Sequence, residues 1–164
     1  MLADFDVVVS CVRALPPFSF SVQILNKANS NGAALESLMS SFTLFHKTTA
    51  AKSPTGWQPK AGDLISGQFS EDDRWYRARV KRASALKKEC EVVFIDYGNE
   101  EVLPFSRARP LDAKFKTLPP QAQEARLSFV KLVKPGTEYA GESMERFREQ
   151  CEGRKLMYVQ AARS

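Results

Sequence analysis

The chain has few of the residues that build metal sites or disulfide frameworks. Its 164 residues include three cysteines and one histidine. Cys11, Cys90 and Cys151 are too far apart in sequence for the paired spacing of zinc ligands, and an odd set of free thiols suits a reducing compartment. We therefore expect no bound metal or other cofactor, and thiols that act only as small buried side chains.

Long apolar runs are also missing. No stretch approaches the ~20 apolar residues of a membrane-spanning helix, and the acidic N-terminus lacks the pattern of a signal peptide. The sequence therefore predicts a soluble intracellular protein that makes no contact with a membrane. We separately expect a monomer that is located in the cytoplasm and also in the nucleus.

The N-terminal part of the chain combines strand and helix patterns. Residues 7–12 are a β-branched run and residues 18–25 alternate apolar with polar side chains, which predicts two strands. A helix is predicted over residues 33–45, because apolar side chains there fall at i, i+3, i+4 and i+7. These are Leu35, Leu38, Met39 and Phe42. Residues 47–60, rich in Lys, Thr, Ser, Pro and Gly, are typical of a linker.

The C-terminal part repeats this mixture. Residues 113–123 contain Leu118-Pro119-Pro120 and predict an extended connection, and residues 125–133 alternate as a strand does. A second helix is predicted to end at Gly153. Its apolar stripe is Ala140, Met144, Phe147 and Cys151. Residues 156–160 predict a last strand.

Between these parts lies a stretch that predicts only strands. Residues 63–69, 75–82, 89–96 and 100–104 are short strand candidates separated by turn-like joins, and a fifth strand is expected near residues 108–111. Short strands at this spacing are typical of a small, strongly bent barrel.

Two of these strands gather aromatic rings that are flanked by carboxylates. One segment runs from Phe69 to Tyr76, and the other is Phe94-Ile95-Asp96-Tyr97-Gly98-Asn99. The acidic side chains expected at the same rim are Glu71, Asp72, Asp73, Asp96, Glu100 and Glu101. Rings edged by carboxylates suit a cationic guest, which indicates a reader of modified peptides. For any single ring, packing in the barrel core is the competing interpretation.

These segments resemble a known family. The series Phe…Trp-Tyr-Arg-Ala-Arg-Val…Phe-Ile-Asp-Tyr-Gly-Asn-Glu-Glu-Val-Leu-Pro is similar to a Tudor domain of the extended type, and the flanks resemble the C-terminal part of the Tudor staphylococcal nuclease family. Germline Tudor proteins are the nearest alternative relatives. The resemblance implies a mainly β fold with some helix, in which a five-stranded SH3-like barrel (57–112) is inserted in a partial staphylococcal-nuclease-like OB-fold domain (1–46 and 118–164).

The resemblance also implies a binding site and its ligand. The family's four aromatic residues and one asparagine match Phe69, Tyr76, Phe94, Tyr97 and Asn99. The implied ligand is symmetrically dimethylated arginine in Arg-Gly-rich tails of Sm or Argonaute/PIWI-class proteins, which would link the protein to RNA processing or silencing. Phe94 stands where relatives often carry Tyr, so one ring hydroxyl is lost.

Three residues next to the predicted binding residues are expected to have structural roles instead of ligand contacts. We expect Trp75 to point away from the ring cluster, because it alternates with Tyr76 on a strand. Asp96 is expected to tie its turn to Arg77 or Arg79. Gly98 is expected to let the chain turn sharply after Tyr97.

The sequence argues against catalysis. Metal-dependent phosphodiester hydrolysis needs clustered carboxylates, and no Asp or Glu lies between Val7 and Ile24 in the nuclease-like strands. The single histidine, His46, is expected to be a solvated surface residue at a helix end or in the linker.

RNA is the alternative ligand, single- or double-stranded. The net charge of +5 permits attraction to nucleic acid. The candidate RNA-binding residues are Lys81, Arg82, Lys87, Lys88, Arg107 and Arg109, with Lys114 and Lys116 close behind in sequence. A basic groove with interleaved aromatic rings would hold single-stranded backbone. Solvated side chains on the barrel exterior are an equally good interpretation of these residues.

Overall fold

The computed structural model describes residues 3–12, 19–25, 31–48, 53–126, 139–152 and 156–161. The chain divides into two compact units. The outer unit comprises residues 1–32, 97–99 and 121–164, and the central unit comprises residues 33–96 and 100–120. No helix within the described ranges is long and apolar enough to cross a membrane.

Strands dominate both units. In chain order the elements are β1 (Ala3–Val12), β2 (Ser19–Leu25), α1 (Asn31–Thr48), β3 (Leu64–Gln68), β4 (Trp75–Ser84), β5 (Glu89–Phe94), β6 (Glu100–Pro104), β7 (Ala108–Pro110), β8 (Ala122–Arg126), α2 (Tyr139–Cys151) and β9 (Leu156–Ala161). Two single-turn 3₁₀ helices, Phe105–Arg107 and Ala113–Phe115, complete the set.

The outer unit is an antiparallel sheet covered by one helix. Its strands lie in the order β8-β2-β1-β9, with a register shift between Val9 and Cys11. The buried core alternates along β1 and β2, as a sheet with one covered face requires. Its members are Val7, Val9, Val12, Phe20 and Val22. Three residues of the predicted α2 stripe, Met144, Phe147 and Cys151, pack against this core.

The central unit contains a five-stranded antiparallel sheet in the order β6-β5-β4-β3-β7. Its two edge strands, β6 and β7, are joined only by the 3₁₀ helix Phe105–Arg107. The four residue-to-residue steps from Pro104 to Ala108 span at most about 14 Å, whereas the edges of a flat five-stranded sheet lie about 19 Å apart. The sheet must therefore curl into a barrel. Its core is Ile65, Ala78, Val80, Cys90, Val92, Phe94, Leu103 and Ala108.

Helix α1 packs against the same unit through its predicted stripe. Phe42 is fully buried and meets the ring of Phe115 edge-on, with centroids 4.8 Å apart. Leu111 completes this small core, and Leu38 lies against it. The helix is therefore held to the unit mainly by burial of one apolar face.

Most predicted elements are confirmed, with shifted ends. The predicted helix over residues 33–45 is longer at both ends, so the linker prediction is wrong for residues 47 and 48, which are helical. Residues 113–115 form a 3₁₀ turn within the expected extended connection. Strand β8 begins at Ala122, three residues earlier than expected, while residues 127–133 and Gly153 lie outside the described residues.

Candidate functional site

Three of the five predicted binding residues meet in the central unit. The rings of Phe69, Tyr76 and Phe94 contact one another edge-on, with centroid distances of 6.3, 5.4 and 5.9 Å and interplanar angles of 77–83°. Gly67 leaves room for one of them, since a Cβ there would lie 3.3 Å from Phe94 Cε1 and 3.0 Å from Leu103 Cδ1. The absence of a side chain at position 67 therefore lets the Phe94 ring pack closely against β3.

The three rings differ in exposure. Phe94 is 1% exposed and belongs to the barrel core, whereas Phe69 and Tyr76 are half-buried and pack against that core. Cys90, Val92 and Phe94 alternate on the inward face of β5. Phe94 therefore lies inside the barrel instead of at its rim, and it forms the buried side of the ring group.

The loop between β3 and β4 carries Phe69, leads into Tyr76 at the start of β4, and is closed by hydrogen bonds. The Phe69 amide donates to the Arg74 carbonyl at 2.9 Å, and the Asp73 amide donates to the Phe69 carbonyl at 3.0 Å. Asp72 accepts from the Tyr76 hydroxyl at 2.6 Å and from the Arg74 amide at 2.9 Å. The Asp72 carboxylate thus fixes the Tyr76 hydroxyl and places negative charge beside the rings.

The other two predicted binding residues, Tyr97 and Asn99, belong to the turn 97–99 of the outer unit. Both side chains are half-buried, and the Tyr97 carbonyl accepts a hydrogen bond from Ser10 Oγ at 2.6 Å. Gly98 has a φ of 89°, and a Cβ at this position would collide with the side chain of Ser21. The prediction that Gly98 permits a sharp turn after Tyr97 is confirmed.

A buried ion pair precedes this turn. Arg77 and Asp96 are each 1% exposed, and the guanidinium donates through Nε and Nη2 to the two carboxylate oxygens at 2.9 and 2.6 Å. Its remaining donors reach the carbonyls of Phe115, Leu118 and Pro119. The predicted tie between Asp96 and Arg77 is confirmed. The expectation that Asp96 lines an acidic rim is wrong, because its carboxylate is buried.

The remaining acidic residues of the predicted rim are exposed or partly exposed, and most are engaged within the central unit. Asp73 pairs with Arg107 at 2.7 Å, Glu100 pairs with Lys81 at 2.8 Å, and Glu101 accepts from the Ser70 amide at 3.3 Å. These contacts reduce the negative charge that the rim presents to a ligand.

The predicted RNA-binding residues do not form one free basic surface, because most of them contact acidic or aromatic side chains. Lys81 and Arg82 both pair with Glu91, and the hydrogen bond from Lys81 to Glu100 raises the pKa of Lys81. Arg82 and then Lys81 hold the pKa of Glu91 below its usual value. Arg109 lies over the Trp75 ring, 4.3 Å from its centroid, and Arg107 binds Asp73. The exposed side chains in this set that carry no such pairing are Lys87 and Lys88, at the β4–β5 hairpin.

His46 is the main error of the sequence prediction. The ring is half-buried, with Nε2 3.2 Å from Ser66 Oγ and Nδ1 buried without a hydrogen-bond partner. It stacks on Trp75, which confirms that this indole points away from the cluster of Phe69, Tyr76 and Phe94. Burial and then the nearby Arg109 lower the pKa of His46 from 6.5 to about 4.

The side chains of the described ranges do not assemble a metal site, since no group of three His, Cys, Asp or Glu residues there could hold an ion. Burial raises the pKa of the Cys90 thiol to about 11, so it stays protonated and unreactive at neutral pH. The groups present around the rings, two half-buried aromatic side chains and the Asp72 carboxylate, are of the kinds that attract a cation.

Comparison with known proteins decides the family. Residues 2–129 match the family model described as Tudor domain. The chain belongs to the Tudor domain family. The Tudor domain is a non-catalytic reader fold and its solved neighbours here are binding domains, so the prediction that this chain is not an enzyme is confirmed.

Curated relatives of this Tudor domain are much longer proteins. It is 36% identical over 128 residues to "Staphylococcal nuclease domain-containing protein 1" of Drosophila melanogaster, covering 77% of this chain and 12% of that protein. It is 39% identical over 87 residues to "Ribonuclease TUDOR 2" of Arabidopsis thaliana, covering 50% and 9%. The chain thus spans about a tenth of the length of these relatives.

Solved structures match nearly the whole chain. The extended Tudor domain of Drosophila melanogaster Tudor-SN (p100) matches with a TM-score of 0.82 and 31% identity, over 98% of this chain and 68% of that one. The human TDRD1 extended Tudor domain, solved with a symmetrically dimethylated peptide, matches with a TM-score of 0.76 and 30% identity, over 98% and 73%. This Tudor domain is therefore of the extended type, mainly β with two sheets and some helix.

Proposed function

We propose that this Tudor domain reads symmetrically dimethylated arginine in Arg-Gly-rich protein tails. The observation that carries the proposal is the mutual edge-on contact of Phe69, Tyr76 and Phe94, with the Asp72 carboxylate beside it. Related structures support it. Besides the TDRD1 complex, the Drosophila Papi extended Tudor domain, 25% identical, was solved with a Piwi N-terminal R10me2s peptide.

The chemistry of the ligand fits such rings. Methylation keeps the guanidinium charge and removes N–H donors, so the group is less hydrated and leaves water more easily. Aromatic faces attract a cation through their quadrupoles, and a desolvated contact contributes about 2 kcal/mol. Phe69 and Tyr76, which are half-buried, are the rings that we assign to the ligand, and Phe94 supports them from the barrel core.

For Tyr97 and Asn99, which belong to the other unit, a role in ligand binding is proposed from the family resemblance. In that role Tyr97 would offer an aromatic face to a cation, and the Asn99 side-chain oxygen would accept a hydrogen bond from a remaining guanidinium N–H. The symmetric isomer keeps one N–H on each terminal nitrogen, whereas the asymmetric isomer leaves one nitrogen with none. An acceptor at Asn99 would therefore favour the symmetric form.

The wider role is proposed from the family resemblance. The chain spans about a tenth of the length of its curated relatives, so the activity and partners of a full-length protein are proposals. We propose partners of the Sm or Argonaute/PIWI class, a place in RNA processing or silencing, and a cytoplasmic and nuclear location. We also propose that the barrel is an insertion in a nuclease-like OB-fold domain and that the chain is monomeric.

The test is a calorimetric titration with one Arg-Gly peptide in four states: unmodified, monomethyl, asymmetric dimethyl and symmetric dimethyl. Tightest binding of the symmetric peptide supports the proposal, provided that Phe69→Ala, Tyr97→Ala and Asn99→Ala weaken it while circular dichroism shows a folded chain. Leu86→Ala, at a side chain that is 95% exposed, is the control. Equal binding of all four peptides would contradict the proposal.

RNA binding is the second candidate function. It is favoured by the exposed Lys87 and Lys88 at the β4–β5 hairpin. The test is titration with single-stranded and with double-stranded RNA at two salt concentrations, since phosphate contacts weaken steeply with salt. Binding that Lys87→Gln and Lys88→Gln abolish together would support this function. Binding that survives both changes would reject these residues as the contact.

A further inference from the structure

Arg107 binds the β3–β4 loop, which carries Phe69, one of the three clustered rings. Its Nη1 donates to the Phe69 carbonyl at 3.2 Å, and its Nη2 donates to Asp73 Oδ1 at 2.7 Å. One guanidinium thus binds both ends of the segment 69–73. Arg107 and Asp73 are 34 residues apart in sequence. The planar fork of arginine suits this task, because two separate nitrogens bind two separate acceptors.

The segment that Arg107 contacts contains a residue in an unfavourable backbone conformation. Asp73 has a φ of 56°, a left-handed conformation that costs a non-glycine residue free energy. The Phe69 carbonyl accepts from both the Asp73 amide and Arg107, and Gln68 Nε2 donates to the Asp73 carbonyl at 2.8 Å. The ion pair therefore stabilises the residue whose backbone is strained.

We propose that Arg107 is a positioning residue for ligand binding. By holding Phe69 and Asp73 it keeps the Phe69 ring edge-on to Tyr76 and Phe94, and so sets the affinity for a methylated guanidinium. The inference rests on the proposed function and deepens it. It also gives Arg107 a role other than contact with RNA.

Electrostatics alone predicts the opposite effect of losing this residue. Arg107 carries a positive charge close to a site for a cation, so Arg107→Gln should tighten binding if charge repulsion were its main influence. If Arg107 acts by holding the loop, the same change should weaken binding. The sign of the change in Kd therefore separates positioning from simple charge.

The experiment compares Arg107→Gln with Arg79→Gln in the 164-residue chain. Arg79 is an exposed residue of β4, and its replacement removes the same charge. We expect Arg107→Gln to raise the Kd for the symmetrically dimethylated Arg-Gly peptide roughly three- to tenfold. Arg79→Gln should leave it within about twofold. Arg107→Lys keeps the charge but has one nitrogen, so it should restore little of the loss.

Amide hydrogen exchange gives a second readout that needs no ligand. Exchange of the Asp73 amide, which donates to the Phe69 carbonyl, should speed up in Arg107→Gln and in Asp73→Asn, and the double variant should add little to either. Unchanged exchange in Arg107→Gln, or tighter peptide binding, would overturn the inference. The two measurements also separate this inference from the proposed function. If exchange is faster in Arg107→Gln but the wild-type chain binds no methylated peptide, the proposed function is wrong and the positioning role with it. Arg107 would then be a residue that only stabilises the loop.

Discussion

The imidazole of His46 lies flat on the indole of Trp75, with ring centroids 4.6 Å apart and planes 10° from parallel. The guanidinium of Arg109 also lies over the Trp75 ring, at 4.3 Å. Helix α1 and strands β4 and β7 therefore meet through a stack in which a histidine and an arginine share one aromatic partner. This stack requires the histidine to be neutral, since burial and Arg109 both disfavour its charged form.

The first prediction is a loss of stability in mild acid. The folded-state pKa of His46 is about 4 and its ordinary value is 6.5, so the unfolded chain binds more protons between these values. The free energy of unfolding should therefore fall as pH drops from about 6.5 to 4. Because the ring is only half-buried, we expect a loss of about 1–2 kcal/mol and not that of the full shift. Urea unfolding at pH 7 and pH 4.5 measures it.

His46→Gln is the control for this effect. Glutamine does not titrate, so the variant should lose less stability than the wild type between the same two pH values. Equal losses in the two proteins would show that other groups cause the acid sensitivity.

The second prediction concerns the buried pair of Arg77 and Asp96. Removing one partner leaves an uncompensated buried charge, which costs about 3–5 kcal/mol. We expect Asp96→Ala to lower the free energy of unfolding by that amount, measured by urea denaturation. The pair of Arg82 and Glu91, which is much more exposed, is the comparison, and Glu91→Ala should cost far less stability than Asp96→Ala. Similar losses for the two pairs would contradict the burial argument.

The third prediction separates two effects at glycines of positive φ. Gly98 and Gly56 have φ of 89° and 79°. A Cβ added at Gly98 would collide with the side chain of Ser21, whereas a Cβ added at Gly56 would have no atom within 4 Å. We expect Gly56→Ala to cost about 1 kcal/mol from backbone strain. Gly98→Ala should cost at least about 2 kcal/mol more, because the collision adds to the strain. Equal shifts in thermal midpoint would mean that the turn relaxes away from Ser21.

The fourth prediction distinguishes two rings of the cluster. Phe94 is a core residue, so Phe94→Ala should lower the free energy of unfolding by about 3–5 kcal/mol and reduce binding as a consequence. Phe69 is half-buried, so Phe69→Ala should cost less stability while reducing binding of the symmetric dimethylarginine peptide at least as much. Urea unfolding and calorimetry on both variants provide the comparison. A larger stability loss for Phe69→Ala would reverse the assignment.

Local periodicity accounts for what the sequence predicted well. The strands of the barrel and the apolar stripes of both helices depend on spacing along the chain, which a single sequence displays. The burial of Phe94 follows from the same alternation, since Cys90 and Val92 precede it on the inward face of β5. His46 falls four residues after Phe42 and continues the α1 stripe, so extending the periodicity by one turn would have predicted its burial.

What the sequence could not predict depends on contacts between distant residues. Arg107 and Asp73 are 34 residues apart, and no local pattern marks either as a partner of the other. The pairing of Lys81 with Glu100 likewise depends on which strands lie side by side in the barrel. Several basic residues that the sequence groups together, including Lys81 and Arg107, therefore form separate ion pairs with acidic residues of other strands and loops.

The guanidinium of Arg77 uses all five of its N–H donors, two on Asp96 and three on the carbonyls of Phe115, Leu118 and Pro119. Lysine offers three donors on a single nitrogen and cannot reach such a spread of acceptors. A single substitution at position 77 would remove hydrogen-bond donors from four residues at once, among them the buried carboxylate of Asp96, so few one-step changes at this position should be neutral in evolution. Divergent evolution of this barrel should therefore alter position 77 only together with position 96 and the segment 115–119.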